Sequence, residues 1–247
     1  MQLKRFSRFT PFSVILGLCL SGVFLSGCAT GRPVPGRYSA QQLYDFACRP
    51  GASIESVQGT VWLKLQSSEM SGQFPANILV NSPDQLELEV TNFLGGTEAV
   101  ISVTQDQYEI THLHGKSKKQ KVGAKTWGGI PLKWATNLFL GRVPCPPLAP
   151  HSQLSVDTAG QLLVLIPEQG KVASQKFTYT FKEIENMPWP DSLHWEQLGI
   201  EKVSVDFEFD DFEKDTLSPK KWHAKSPQGS VKVRWRERSL FTSTKRP

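Results

Sequence analysis

LELEVTNFLGGTEAVISV, residues 86–103, carries the decisive pattern. Leu86, Leu88 and Val90 alternate with Glu87 and Glu89, the period of a strand wetted on one face only. TNFLGGTE, residues 91–98, then turns the chain into a second strand over 97–104. A turn normally exposes polar residues, yet this one carries Phe93 and Leu94 at its tip. Either the two fold back to cap a core or they protrude as an apolar finger that enters lipid.

The same period extends in both directions. Val61, Leu63 and Leu65 alternate with Trp62 and Lys64, and Phe74, Ile78 and Val80 follow on the next run. Further strands are predicted over 107–112, 161–166, 175–181, 192–196, 202–210, 220–226 and 230–236, several of them separated by turns such as Ser82-Pro83-Asp84 and Pro227-Gln228-Gly229. About ten or eleven strands with short connections predict a mainly β chain, one large curved antiparallel sheet or barrel in a single domain.

Two helices interrupt the pattern. Ser39 and Gln42 make a capping box ahead of Leu43, Tyr44, Phe46 and Ala47, and Pro50-Gly51 stop that helix. Pro131 suits the first turn of a second helix bearing Trp134, Ala135, Leu138 and Phe139, with Gly141 as its C-terminal cap. Two short helices are little cover for so wide a sheet. Either the sheet rolls up and fills itself with side chains, or an apolar cavity remains for a ligand.

The chain has 247 residues, a formal net charge of +5 and four cysteines, which excludes disorder and a disulfide-dense miniprotein. Lys4, Arg5 and Arg8 precede an apolar run from Phe12 to Phe24 and then Leu25-Ser26-Gly27-Cys28. These are the three parts of a secretory signal, and the run is too short to span a bilayer. Removal of residues 1–27 takes away those three charges and leaves +2, so the basis for a nucleic-acid partner disappears. Residues 220–247 stay strongly basic and suit anionic head groups. Residues 28–38 read as an acylated N-terminus and flexible tether, 39–240 as the folded domain and 241–247 as a basic tail.

Leu25-Ser26-Gly27-Cys28 resembles the lipobox of bacterial lipoproteins, with Cys28 as the acylated residue. The alternative is an ordinary signal peptide ending near a cysteine. Discarding Cys19 and acylating Cys28 leaves Cys48 and Cys145, for which one pairing within the chain exists; a bridge and two separate buried thiols are both open.

Catalytic chemistry finds no candidate set. Five histidines occur, at 112, 114, 151, 194 and 223. His112 and His114 share one strand face at a chelating spacing but lack flanking Cys or carboxylate, so no metal is expected. Asp206, Glu208, Asp210 and Asp211 interleave with Val203, Val205, Phe207 and Phe209 and read as the solvated face of a strand, complemented across strands by Lys232, Arg234 and Arg236. KSKKQK, residues 116–121, reads as a charged hairpin or a lipid or partner contact. Phosphate-loop, zinc-protease and serine-elbow motifs are missing, and no cofactor is expected.

The 86–103 segment, GGIPLKWATNLFLGR at 128–142, the Pro219…Gly229…Trp235 hairpin and the lipobox together resemble outer-membrane lipoprotein receptors of the LolA/LolB group, over roughly residues 39–238. The resemblance implies an incompletely closed antiparallel β-barrel with a short helical lid over an apolar cavity for acyl chains. Its inward positions fall on Val61, Leu63, Leu86, Leu88 and Val90, and its lid on Leu132, Leu138 and Phe139. The exposed leucine of the group's membrane-delivery loop falls on Leu94, here preceded by Phe93 where the group usually has proline. The resemblance further implies a monomer without enzymatic activity on the periplasmic face of the bacterial outer membrane, anchored there because Ala29 follows Cys28. A LolA-like periplasmic carrier, the acyl chains of lipoproteins and outer-membrane lipid would be its partners. A lipid- or glycolipid-binding lipoprotein of the same fold, and a structural lipoprotein with a filled core, remain open alternatives.

Overall fold

Ser39 starts the first described element as the sequence requires. Its hydroxyl accepts a hydrogen bond from the Gln42 backbone N–H at 3.2 Å, and the Gln42 side chain accepts one from the Ser39 N–H at 2.9 Å. Helix α1, Ala40–Cys48, buries Leu43 and Ala47. This computed structural model describes residues 36–67, 71–82, 84–104, 106–113, 119–167, 174–199 and 203–242. The expected signal peptide, Cys28, His114 and Lys116–Lys118 lie outside the described residues.

The strands follow in chain order as β1 (Ile54–Ser67), β2 (Ser71–Ser82), β3 (Gln85–Thr91), β4 (Thr97–Thr104), β5 (Gln107–His112), β6 (Lys119–Ala124) and the two-residue β7 (Thr126–Trp127) and β8 (Ile130–Pro131). Helix α2 (Leu132–Leu140) precedes β9 (Gln153–Val156), β10 (Leu162–Pro167), β11 (Ser174–Ile184), β12 (Met187–Leu198), β13 (Val203–Phe212), β14 (Pro219–Ser226) and β15 (Gly229–Thr242). Thirteen of these form one antiparallel sheet in the order β6-β5-β4-β3-β2-β1-β15-β14-β13-β12-β11-β10-β9, and β7 pairs with β8 alone. The sheet is not closed: β6 and β9 are its two edges. The first and last strands of the chain pair with each other at its centre.

The strand count exceeds the ten or eleven expected from the sequence. The additions are β6, β9 and the β7–β8 pair, which are short or at an edge and so lack a long apolar alternation. Two boundaries also differ. Phe241 and Thr242, expected in the tail, continue β15, and Tyr38 at the end of the expected tether packs edge-on against Phe46 at 5.5 Å.

Inward residues alternate along each strand as read from 86–103: Leu86, Leu88 and Val90 are buried and meet Val103, Ile101 and Ala99 across the β3–β4 register. Helix α2 lies on this inner side against β1, β2, β3 and β4. Its Trp134 ring reaches Trp195, Phe177 and Phe207 at 4.6, 5.5 and 6.2 Å, and Phe139 meets Trp222 at 5.1 Å. One helix therefore joins both halves of the sheet into a single apolar core. Pro131 stands at its N-cap, one position before the first turn, and Gly141 ends it in the left-handed region at φ 85°.

The segment after α2 is clamped. Cys145 is joined to Cys48 by a disulfide with Cα atoms 5.4 Å apart. The hydroxyls of Tyr179 and Tyr44 donate to the carbonyls of Pro144 and Pro146 at 2.7 and 2.6 Å. Burial pushes the Tyr179 phenol well above its ordinary pKa, so the phenol keeps its proton and its donor role.

Candidate functional site

The β3–β4 connection is built by one side chain. Asn92 Oδ1 accepts hydrogen bonds from the backbone N–H groups of Leu94 and Gly96, at 3.0 and 2.9 Å, while its amide donates to Glu98 Oε1 at 3.0 Å. Asn92 N–H donates to the Gly96 carbonyl, and Gly95 takes the left-handed conformation at φ 84°. The brace points the intervening side chains outward: Phe93 is 79% and Leu94 96% exposed. Neither folds back to cap the core. The Phe93 ring lies 6.0 Å from that of Trp62 on the outer face of β1, and the guanidinium of Arg236 lies 5.6 Å from the Trp62 ring.

A cavity of about 730 Å³ opens beside this turn, between the ends of β1 to β6. Leu65, Phe74, Pro75, Val90, Ala99, Ile101 and Ile110 supply its apolar wall. Gln73, Thr91, Asn92, Glu98, His112 and Lys121 supply polar groups, and Phe93 lines it as well. Its size is within the roughly 300–1,000 Å³ of small-molecule sites, and a mostly apolar wall with a few polar groups is their usual composition.

Of the residues expected around the cavity, Val90 lines it. Val61, Leu63, Leu86, Leu88, Leu132, Leu138 and Phe139 are buried in the core instead. The reason is the lid: α2 packs directly on β1–β4, so inward side chains under it meet the helix, and the cavity lies where the strands run past it. Sequence reading missed Phe74, Pro75 and Ile110, whose apolar character was visible but whose position at the strand ends depends on where α2 stops.

Glu89 braces the outer side of the same turn. It accepts hydrogen bonds from the Thr97 hydroxyl and, at 3.1 Å, from the Asn77 amide. These bonds, Thr97 first and Asn77 second, hold its pKa below the usual glutamate value against the opposing effect of burial.

The acidic face of β13 finds different partners from those expected. Asp206, Glu208 and Asp210 stand opposite Lys225, His223 and Lys221 of β14, not opposite Lys232, Arg234 and Arg236, because β14 intervenes between β13 and β15. Among the described residues no three His, Cys, Asp or Glu side chains gather into a metal-holding set. No described helix is long and apolar enough to cross a membrane.

Fold and site together define an open antiparallel β-sheet wrapped on an internal helix, with an end cavity beside an exposed apolar turn. The chain is similar in fold to a LolA superfamily protein from Nitrosomonas europaea (8% identity, TM-score 0.46, covering 83% of this chain and 94% of that one). It is likewise similar to a putative outer membrane lipoprotein-sorting protein domain from Vibrio parahaemolyticus (10%, 0.38, 84% and 93%). A DUF1329 family protein from Desulfovibrio piger is a third (9%, 0.42, 82% and 93%). No protein-family model matches the chain, and no curated protein matches it in sequence. The architecture is read from the sheet itself rather than from these distant likenesses.

Proposed function

We propose that the chain is an outer-membrane-anchored lipoprotein acceptor, held by acylated Cys28, that receives lipoproteins from a LolA-like periplasmic carrier and inserts them into the membrane. The carrying observation is the juxtaposition of an apolar cavity of about 730 Å³ with a braced turn whose Phe93 and Leu94 are exposed. Acyl chains would occupy the wall of Phe74, Val90, Ile101 and Ile110. Binding and release of an apolar chain need no bond making, and a tenfold affinity advantage over the donor corresponds to about 1.4 kcal/mol. The turn would then enter the bilayer, where Leu94 is at home and a charge is not.

Leu94→Glu is expected to leave cargo binding intact while reducing delivery of a bound lipoprotein to liposomes at least about tenfold, since a carboxylate at the tip opposes insertion. Normal delivery by this variant would refute the role of the turn. The polar groups at the cavity, Gln73, Glu98, His112 and Lys121, favour a second reading, a lipid- or glycolipid-binding lipoprotein of the same fold. Native mass spectrometry of molecules copurified with the exported Cys28→Ala form separates the two: bound lipoprotein supports the first, a free lipid or glycolipid the second.

A further inference from the structure

The outer face of β1 and β15 carries four exposed cations beside the turn: Lys64, Lys232, Arg234 and Arg236. Their arrangement does not serve the sheet. Lys64 stands directly opposite Lys232, and Arg234 directly opposite Lys221 of β14, like charges in cross-strand register, which is unfavourable. The neighbouring β14 residues have partners on the other side, Lys221 the carboxylates of Asp210 and Asp211 at 3.8 and 3.3 Å and His223 that of Glu208 at 3.4 Å. Among the described residues none of the four cations has a carboxylate within ion-pair distance.

These cations are tied geometrically to the apolar tip. Arg236 lies 5.6 Å from the Trp62 ring, and that ring lies 6.0 Å from Phe93 at a tilt of 41°, so the basic face leads through an aromatic pair to the exposed Phe93 and Leu94. The carboxylates nearest the turn point to other work: Glu89 accepts from Thr97 and Asn77, and Glu98 from Asn92. Unpaired cations next to an aromatic and aliphatic tip match a surface that offers negative charge at its rim and hydrocarbon just below it. An acidic protein or nucleic acid offers the first without the second.

We propose that the Lys64–Lys232–Arg234–Arg236 face is a docking site for anionic phospholipid head groups, which orients the turn for entry into the bilayer. The proposal rests on the reading of Phe93 and Leu94 as the membrane-entering tip. A basic side chain close to an anionic surface contributes about fivefold in binding, equivalent to about 1 kcal/mol.

The test is flotation of the exported Cys28→Ala protein with vesicles of phosphatidylcholine alone and of phosphatidylcholine with phosphatidylglycerol. Binding should be at least about tenfold tighter to the anionic vesicles and should weaken as salt is raised. Replacing all four cations by Gln should abolish that preference and leave binding to the neutral vesicles unchanged. The charge-preserving variant, with K64R, K232R, R234K and R236K together, should retain the preference, which separates charge from damage to the fold. Leu94→Gln, which removes the apolar tip without adding charge, should weaken binding to both vesicle types and leave their ratio intact. A preference that survives the four Gln substitutions overturns the docking site while leaving the turn untouched. A Leu94→Gln variant that binds both vesicles normally overturns the turn instead. Equal capture by polyglutamate or by DNA at the same salt would also overturn the lipid assignment.

Discussion

Glu89, on the outer face, makes one brace of the turn sensitive to pH. Because its carboxylate is held by Thr97 and Asn77, its pKa in the folded chain lies below that of the unfolded chain. The stabilisation it gives is therefore present above the ordinary glutamate range and is lost as pH falls through the depressed value. Chemical denaturation of wild type and Glu89→Gln between neutral pH and pH 3 should show the wild type losing a component of stability that the variant lacks from the start. Identical pH profiles would remove Glu89 from the account. Asn92 teaches a related lesson about legibility. The sequence showed apolar residues where a turn should be polar, but their outward direction depends on Asn92 Oδ1 accepting from Leu94 and Gly96. An Asn two residues before Leu94, followed by a glycine pair, was the signal that could have foretold it.

At the scale of elements, legibility followed burial. Strands with one buried face, such as β3 and β4, declared themselves through alternation, and α1 declared itself through the Ser39–Gln42 box. Edge strands did not. In β6, Lys121 pairs with Ile110 and Gly123 with Tyr108, so its inward side is Lys and Gly, and the 116–121 run reads as charge rather than as structure. The cavity was legible as a need for cover but not as a place, since its position depends on α2 closing over β1–β4 and not over the strand ends. The covalent link between α1 and the segment after α2 is the Cys48–Cys145 disulfide, which spans 97 residues of sequence. For a loop of that length the chain-entropy model assigns about 4–5 kcal/mol to the cross-link. The Cys48→Ser, Cys145→Ser double variant is expected to lose a stability of that order in chemical denaturation, and a loss below about 1 kcal/mol would show that the hydrogen bonds from Tyr44 and Tyr179 already hold the segment.

At the scale of the molecule, the two arms of the sheet are one cooperative body because α2 touches both. Trp134 faces β11, β12 and β13 while its helix lies on β1–β4. Trp134→Ala should cost about 3–5 kcal/mol, the usual cost of emptying a buried aromatic site. Hydrogen exchange should show protection falling together in β3 and β12. A variant in which only β11–β13 lose protection would mean that the arms are independent units.

The pairing of β1 with β15 has a consequence for the order in which the protein is made. β1 emerges early in synthesis, and its 14-residue edge then has no partner on one side, because that partner is β15, the last of the described strands. Residues between them can form hairpins as they emerge, yet the seam at the centre of the sheet waits for residues 229–242. Completion of the sheet is thus timed by the synthesis of β15, and a chain cut short before Gly229 would carry two unsheltered edges, of β1 and β14, open to pairing with other chains.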